Sequence, residues 1–307
     1  MPLIDPADAP REAGNHERLG GYERLHLGAA GGIGQFGVVL EMLPPGAASS
    51  DRHWHEAEDE FLWVLEGEAT VVEDSGERPL QPGDCMAWPA GVPNAHRVEN
   101  RCDTPLRFLV AGWRALHDVV HYPDRGVRAV VQGDERREEP ASYAQAPGVT
   151  SGYIDRAACP MKTGSIYPAP YGAMMAGRSS LRLGQAGGLS QFGANLVLLE
   201  PGAKSSLRHW HEHEDEFAMV VKGTPTLVEN DGPHPTAPGS FAGFPAGVEN
   251  GHHFINDSDS LAGFLVLGSR MNPERAFYSD IDLAVALKDG GATFTTHNGL
   301  PYEEPVA

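Results

Sequence analysis

The stretch Arg52-His53-Trp54-His55-Glu56-Ala57-Glu58-Asp59-Glu60 packs two imidazoles and four carboxylates into nine residues. Imidazole nitrogen and carboxylate oxygen are the donors that first-row divalent metals take. In an extended strand successive side chains alternate faces, so His53 and His55 project to one side, about 6.6 Å of backbone apart, and Trp54 to the other. Two imidazoles on one face can bite one ion. Glu60 follows His55 by five residues, the wrong parity for a continuous strand, and joins the pair only if 56–59 turn or bulge. A fourth donor must come from elsewhere. His96 follows the turn-forming Gly83, Pro89 and Gly91, which can return a strand antiparallel to the first. Three imidazoles with one carboxylate suit Mn, Fe(II), Co, Ni, Cu(II) or Zn, and leave one or two positions for water or substrate.

The constellation occurs twice. A shift of 156 residues lays 27–61 on 183–217 without a gap, and pairs Gly67 with Gly223, Pro89 with Pro245, His96 with His252, and Tyr122 and Asp124 with Tyr278 and Asp280. His209, His211, Glu216 and His252 therefore form a second predicted donor set. The period exceeds that of solenoid repeats, so each copy is expected to be a whole domain. The expected division is a domain over 1–131, a linker over 132–155 and a second domain over 156–307. The linker is charged and then rich in Pro, Ala, Ser and Gly, and an arm crossing between domains would have the same composition. The tail after about 285 is expected to pack as an edge segment or to fray.

The elements that must position these donors are short strands broken by Gly and Pro, such as FGVVLEML, EFLWVLEG, DCMAWP and RFLVAGW, with counterparts FGANLVLLE, EFAMVVKG, SFAGFP and GFLVLGS. Turn signals recur every eight to twelve residues and no amphipathic helix competes, so the chain reads as all-β, an antiparallel sandwich or barrel in each half.

Composition excludes several function classes. With 23 Lys and Arg against 42 Asp and Glu, the net charge is −19, which repels nucleic acid. No apolar run is long enough for a membrane helix, and the first residues, MPLIDPADAP, have Pro and acid where a signal peptide needs an apolar stretch. A soluble, cytoplasmic protein is expected, with a small molecule as its partner. Cys85, Cys102 and Cys159 stand far apart and are assigned no chemistry.

The chain resembles the cupin superfamily, and within it the two-domain bicupins. The first family motif, G-x5-H-x-H-x(3,4)-E-x6-G, is met by His53, His55, Glu60 and Gly67, and again by His209, His211, Glu216 and Gly223. The second, G-x5-P-x-G-x2-H-x3-N, is met by Gly83, Pro89, Gly91, His96 and Asn100, and by Gly239, Pro245, Gly247, His252 and Asn256. Both copies depart alike: six residues separate Gly46 from His53 and Gly202 from His209, and four separate Gly91 from His96 and Gly247 from His252. These departures touch loop shape, because the donor-to-donor spacings of the first motif are kept. The resemblance implies tandem double-stranded β-helix, or jelly-roll, barrels with a metal inside each near its mouth. The sub-type is similar to bacterial cupins with HWH-x-x-EDEF and FPAG-x-x-x-GHH. The second copy fits it more closely, since the first has Trp88 where the second has Phe244.

Each further residue has a plain reading beside the functional one. Glu56, Glu58 and Asp59, with Glu212, Glu214 and Asp215, read as a solvated acidic loop. Trp54 and Trp210 belong to the packing side. Arg52 and Arg208 are suited either to an anionic substrate or to a surface ion pair. Gln35 and Gln191 serve strand packing or support a donor, and Asn100 and Asn256 bond backbone at a turn. His213 could sit near the mouth; His253 points away from its neighbouring donor; His16, His26, His117, His121, His234 and His297 carry no constellation.

Such a site supports a metal-dependent enzyme acting on a small oxygenated molecule. The resemblance implies dioxygenases, decarboxylases, lyases and isomerases together. A dioxygenase is preferred, because no residue outside the donor set announces itself as a general base. The alternative is a non-catalytic binding, sensing or storage bicupin, which typically loses donors that both copies here retain. The assembly is expected to be a monomer or a homodimer.

Overall fold

The computed structural model describes residues 3–143 and 148–303. Part of the expected linker, 144–147, and the end of the tail, 304–307, lie outside the described residues. Each half is built from one six-stranded antiparallel sheet that faces two smaller ones. In the first half the large sheet runs Arg11–His16, Gly20–Leu25, Phe36–Leu43, Leu106–Trp113, Glu60–Glu66 and Cys85–Trp88 in spatial order. Opposite it lie a three-stranded sheet centred on Ala69–Glu73 and a four-stranded sheet that ends in Trp54–His55. The second half repeats this plan, with Phe192–Leu199, Ala262–Ser269, Glu216–Lys222 and Phe241–Phe244 in its large sheet and His209–His211 at the edge of its four-stranded one. The regular structure is thus nearly all β, in the jelly-roll barrels that the resemblance implied.

Strand alternation divides the main core into a shared cluster and one inside each barrel, beside a smaller cluster around Tyr278 and Leu283. From Phe36–Leu43, the side chains of Phe36, Val38 and Leu40 point into a cluster shared by both halves, whereas Leu43 points into the first barrel. The matching residues Phe192, Ala194 and Leu196 enter the shared cluster from the other side, and Leu199 fills the second barrel. Phe36 and Phe192 stack across the seam, with centroids 5.7 Å apart and planes within 9°. Each is fully buried, a burial that contributes about 1.5–3 kcal/mol per ring.

The acidic run after the histidine pair is only in part a solvated loop: Glu56 is exposed, but its aspartate is not. Asp59 is completely buried. Its carboxylate accepts from the backbone N–H of Ala90 at 2.8 Å in its own half, and of Ser190 and Gln191 at 2.6 and 2.8 Å in the other. Asp215 accepts from Ala246, and across the seam from Gly34 and Gln35 at 2.7 and 2.9 Å. A buried carboxylate survives only when its oxygens are satisfied, and each aspartate finds most of its donors on the opposite barrel. Gln35 and Gln191 complete the clasp: their amides donate to His213 O and Ala57 O, and their oxygens accept from Asp215 N and Asp59 N. The two glutamines therefore join the halves and support no donor.

The span 132–155 differs from a free connector. Glu135–Pro140 forms a strand against Val127–Gln132, and beyond it Ile154 N donates to Cys85 O. Gly152 N and Ser151 Oγ both reach the buried carboxylate of Glu73, so this part lies as an arm along the first barrel. Ile4 crosses to the second barrel in the same way and bonds Phe241 O. In the tail, Gly291–Thr295 packs as an edge strand on Leu283–Lys288. No helix of the described residues is long and apolar enough to cross a membrane.

Candidate metal centres

In each barrel the histidine pair meets its distant partner through a two-way backbone bridge. His53 N donates to His96 O at 3.1 Å and His96 N to His53 O at 2.9 Å; His209 and His252 repeat this at 3.2 and 2.9 Å. Residues 56–59 bend out of the strand, which resets the pleat, and Glu60 opens the next strand facing the same space. Gly67 ends that strand with φ +78°, where an added Cβ would lie 2.6 Å from Pro105 O. Only glycine is suited to this place.

The four predicted donors of each half converge. Glu60 Oε2 lies 3.2 Å from Nε2 of His96, 3.9 Å from that of His53 and 4.0 Å from that of His55. Glu216 lies 3.1 Å from His252 Nε2 and 3.7 Å from His211 Nε2. The His209 ring centroid is 4.9 Å from the centroids of both His211 and His252. Bond lengths of about 2.0–2.2 Å place adjacent donors of one ion about 3 Å apart, so a slight contraction suffices and the residues fit a divalent cation.

The electrostatics favour free lone pairs at His53, His209 and the two glutamates, and hold a proton more firmly at His55 and His211. Burial, then the neighbouring His96, pulls His53 down to about 4; burial, then His252, pulls His209 down to about 3. Burial works against ionised Glu60, yet the surrounding histidines, His96 foremost, hold it at about 2. His211 goes the other way. Burial opposes its charge, but hydrogen bonds to Glu216 and Glu274 outweigh burial and raise it to about 10.

Two carboxylates absent from the sequence expectations orient these rings. Asp118 Oδ2 lies 2.6 Å from His55 Nδ1, and its other oxygen accepts from Ala57 N at 2.8 Å. Glu274 lies 3.3 Å from His211 Nδ1 and accepts from the N–H of Glu212 and His213. A carboxylate on Nδ1 fixes the tautomer that presents Nε2. The shift of 156 residues maps Asp118 on Glu274, and that retained acid inside a strand was the available signal. Parallel stacking holds the fourth donor: Trp88 covers His96 at 3.7 Å, and Phe244 covers His252 at 3.5 Å.

The other named residues fall outside the centres. Trp54 stacks on His121 and Trp210 on Phe277, on the packing side. Arg52 pairs with Asp74 and Asp124, and Arg208 with Asp280 and Asn230, so both are structural. Asn100 and Asn256 bond backbone carbonyls. His213 is half-exposed beside Glu212 and Glu274, and the ring of His253 bonds Ser206 O. His234 does have company, Asp231 at 2.8 Å and Glu229 at 3.7 Å, on a hairpin that pairs with the strand after His252 but shares no donor with either set.

A cavity of about 290 Å³ opens onto His209, His211, Glu216 and His252. Phe254, Phe264 and Val266 form an apolar wall, and Tyr167 lines it, hydrogen-bonded to Tyr278. A larger cavity of about 920 Å³ lies at the seam around Leu27, Trp63, Met219 and Lys222 and touches none of the eight donors. The donors of the second set line the smaller one.

Residues 39–112 and 195–268 each match the family described as Cupin domain. The Quercetin 2,3-dioxygenase of Bacillus subtilis (strain 168) is 34% identical over 104 residues, 33% of this chain and 31% of that protein. The match thus spans about a third of that relative's length. A solved structure described as a sugar phosphate isomerase from a cupin superfamily, from Silicibacter pomeroyi, is 53% identical over 49% of this chain and 96% of its own, with a TM-score of 0.48. The Lactobacillus farciminis oxalate decarboxylase is 15% identical with a TM-score of 0.53, covering 87% of this chain and 86% of its own, a likeness of fold.

Proposed function

The chain belongs to the cupin superfamily, with two cupin domains in tandem, and on that premise we propose a metal-dependent enzyme that works on a small oxygenated molecule in its second barrel. The observation that carries this reading is the cavity that opens directly onto His209, His211, Glu216 and His252. A bound ion would supply Lewis-acid polarisation of a substrate oxygen or, as iron(II), the redox chemistry of dioxygen use. Glu274 keeps the His211 ring in place, and the aromatic wall excludes water around the bound molecule. The first set, His53, His55, Glu60 and His96, is proposed as a second metal site.

Dioxygenase chemistry is the preferred class. Apart from the donors, no Asp, Glu or His lines the cavity, and dioxygen chemistry needs a protein base least. The curated relative named as a dioxygenase supports the same class. A second reading, metal-assisted decarboxylation or isomerisation, is favoured by Tyr167, whose phenol burial holds protonated and which could donate a proton to the substrate.

Oxygen uptake by iron-loaded protein against a panel of small oxygenated compounds tests the proposal. Turnover that requires dioxygen and is abolished in His209→Ala with His252→Ala supports it. Turnover that proceeds equally without oxygen shifts the assignment to the proton-transfer class, and turnover that survives the double substitution removes the metal-dependent reading.

A further inference from the structure

The second cavity carries a charge pattern that the donor set does not use. Lys162, Arg178 and Arg182 line it, and Glu216 is its only lining carboxylate. Among the described residues none of these three cations has a carboxylate ion pair, and Arg178 Nε is buried with no hydrogen-bond partner. Burial, then Arg182 and Arg178, lowers Lys162, and burial lowers Arg178. Many arginines elsewhere are matched, among them Arg52 with Asp124, Arg125 with Glu138 and Arg208 with Asp280. Arg114 and Arg270 bond backbone oxygens, and Arg78 and Arg156 lie over aromatic rings, but only this cavity gathers three cations without a carboxylate pair among the described residues. Leaving cations together and half-buried is costly unless an anion completes them.

The internal duplication supplies a comparison within one molecule. In the same strand register the first barrel has Glu12, Tyr22 and His26 in place of Lys162, Arg178 and Arg182. It also has Arg24 and Glu41 where the second has Ser180 and Val197. Arg24 and Glu41 neutralise one another at 3.2 Å, with Glu41 buried. The cationic seat is therefore a property of the second barrel alone, in a chain whose net charge is −19.

We propose that the second barrel binds a small dianion, a phosphate monoester or a dicarboxylate, with its anionic head on Arg178, Arg182 and Lys162 and its reacting end toward the His209, His211, Glu216 and His252 cluster. This names the substrate class of the metal-dependent site and rests on that reading. Guanidinium groups recognise both heads through paired N–H···O bonds.

Calorimetric titration of the full-length, metal-loaded protein with inorganic phosphate, and separately with malonate, tests the proposal, with metal content read on the same samples. The expected result is saturable binding of one dianion per chain. Arg178→Met and Lys162→Gln should each weaken it at least about tenfold, as loss of a charge-assisted contact does, while Arg24→Met leaves it unchanged. Lys162→Gln serves should Arg178→Met fail to fold. Tighter phosphate than malonate assigns a phosphoryl head, and the reverse a dicarboxylate. Absence of saturable binding for both ions, or equal binding in both variants, overturns the seat. Full retention of metal together with dianion binding in His209→Ala with His252→Ala would instead count against the metal-dependent reading and leave the seat standing.

Discussion

Asp118 and Glu274 are aimed at the Nδ1 atoms of His55 and His211, so an acid 63 residues away in sequence raises the basicity of one donor in each set, for His211 together with Glu216. In the second set His211 is held protonated up to about 10. That proton must leave before Nε2 can bind a metal, so lower pH disfavours binding. Between pH 6 and 8 metal affinity should rise with pH, by up to about tenfold per unit for one competing proton. Glu274→Gln removes one of the hydrogen bonds that raise His211 and should flatten this slope; competition against a coloured chelator across the pH range reads it. At this scale the sequence was informative about the eight donors, because type and spacing recur in both copies. It was silent on the two supporting acids, because their contact depends on cross-strand register: His55 lies opposite Val120, two residues past Asp118.

The strands and the bend between them do two jobs at once. The bend over 56–59 brings Glu60 to the histidine face, and it also drives Asp59 into the seam, where three N–H donors from two barrels close on it. Asp59→Ala would leave those donors buried and unmet, at about 1–3 kcal/mol each. The expected loss is roughly 3 kcal/mol or more, read as an earlier midpoint in urea unfolding, with Glu58→Gln as the milder neighbour because its carboxylate caps only Ala115 N. An acidic run looks solvated in a sequence, and nothing local distinguishes an aspartate whose partners sit 131 and 132 residues away. Strand alternation, by contrast, was legible: it placed Trp54 opposite the histidines and required the bend before the structure located it.

As a whole the molecule is one fold used twice and then altered on one side. The seam that pairs Phe36 with Phe192 and the reciprocal aspartates keeps the barrels in register, while the interior residues differ: Arg24 with Glu41 in the first, unpaired cations in the second. The duplication and the all-β class follow from the repeat itself. The different charge of the two barrels does not, because it depends on which substituted positions face inward. Both donor sets are complete and both converge, so the central claim is that each barrel holds a metal. The direct measurement is metal content per chain, by elemental analysis, in protein purified without added metal, beside His53→Ala with His209→Ala. About two ions per wild-type chain and a near-complete loss in the double variant are the result expected from donor identity and count. A wild-type chain without stoichiometric metal, or a variant that keeps its full content, would contradict the claim.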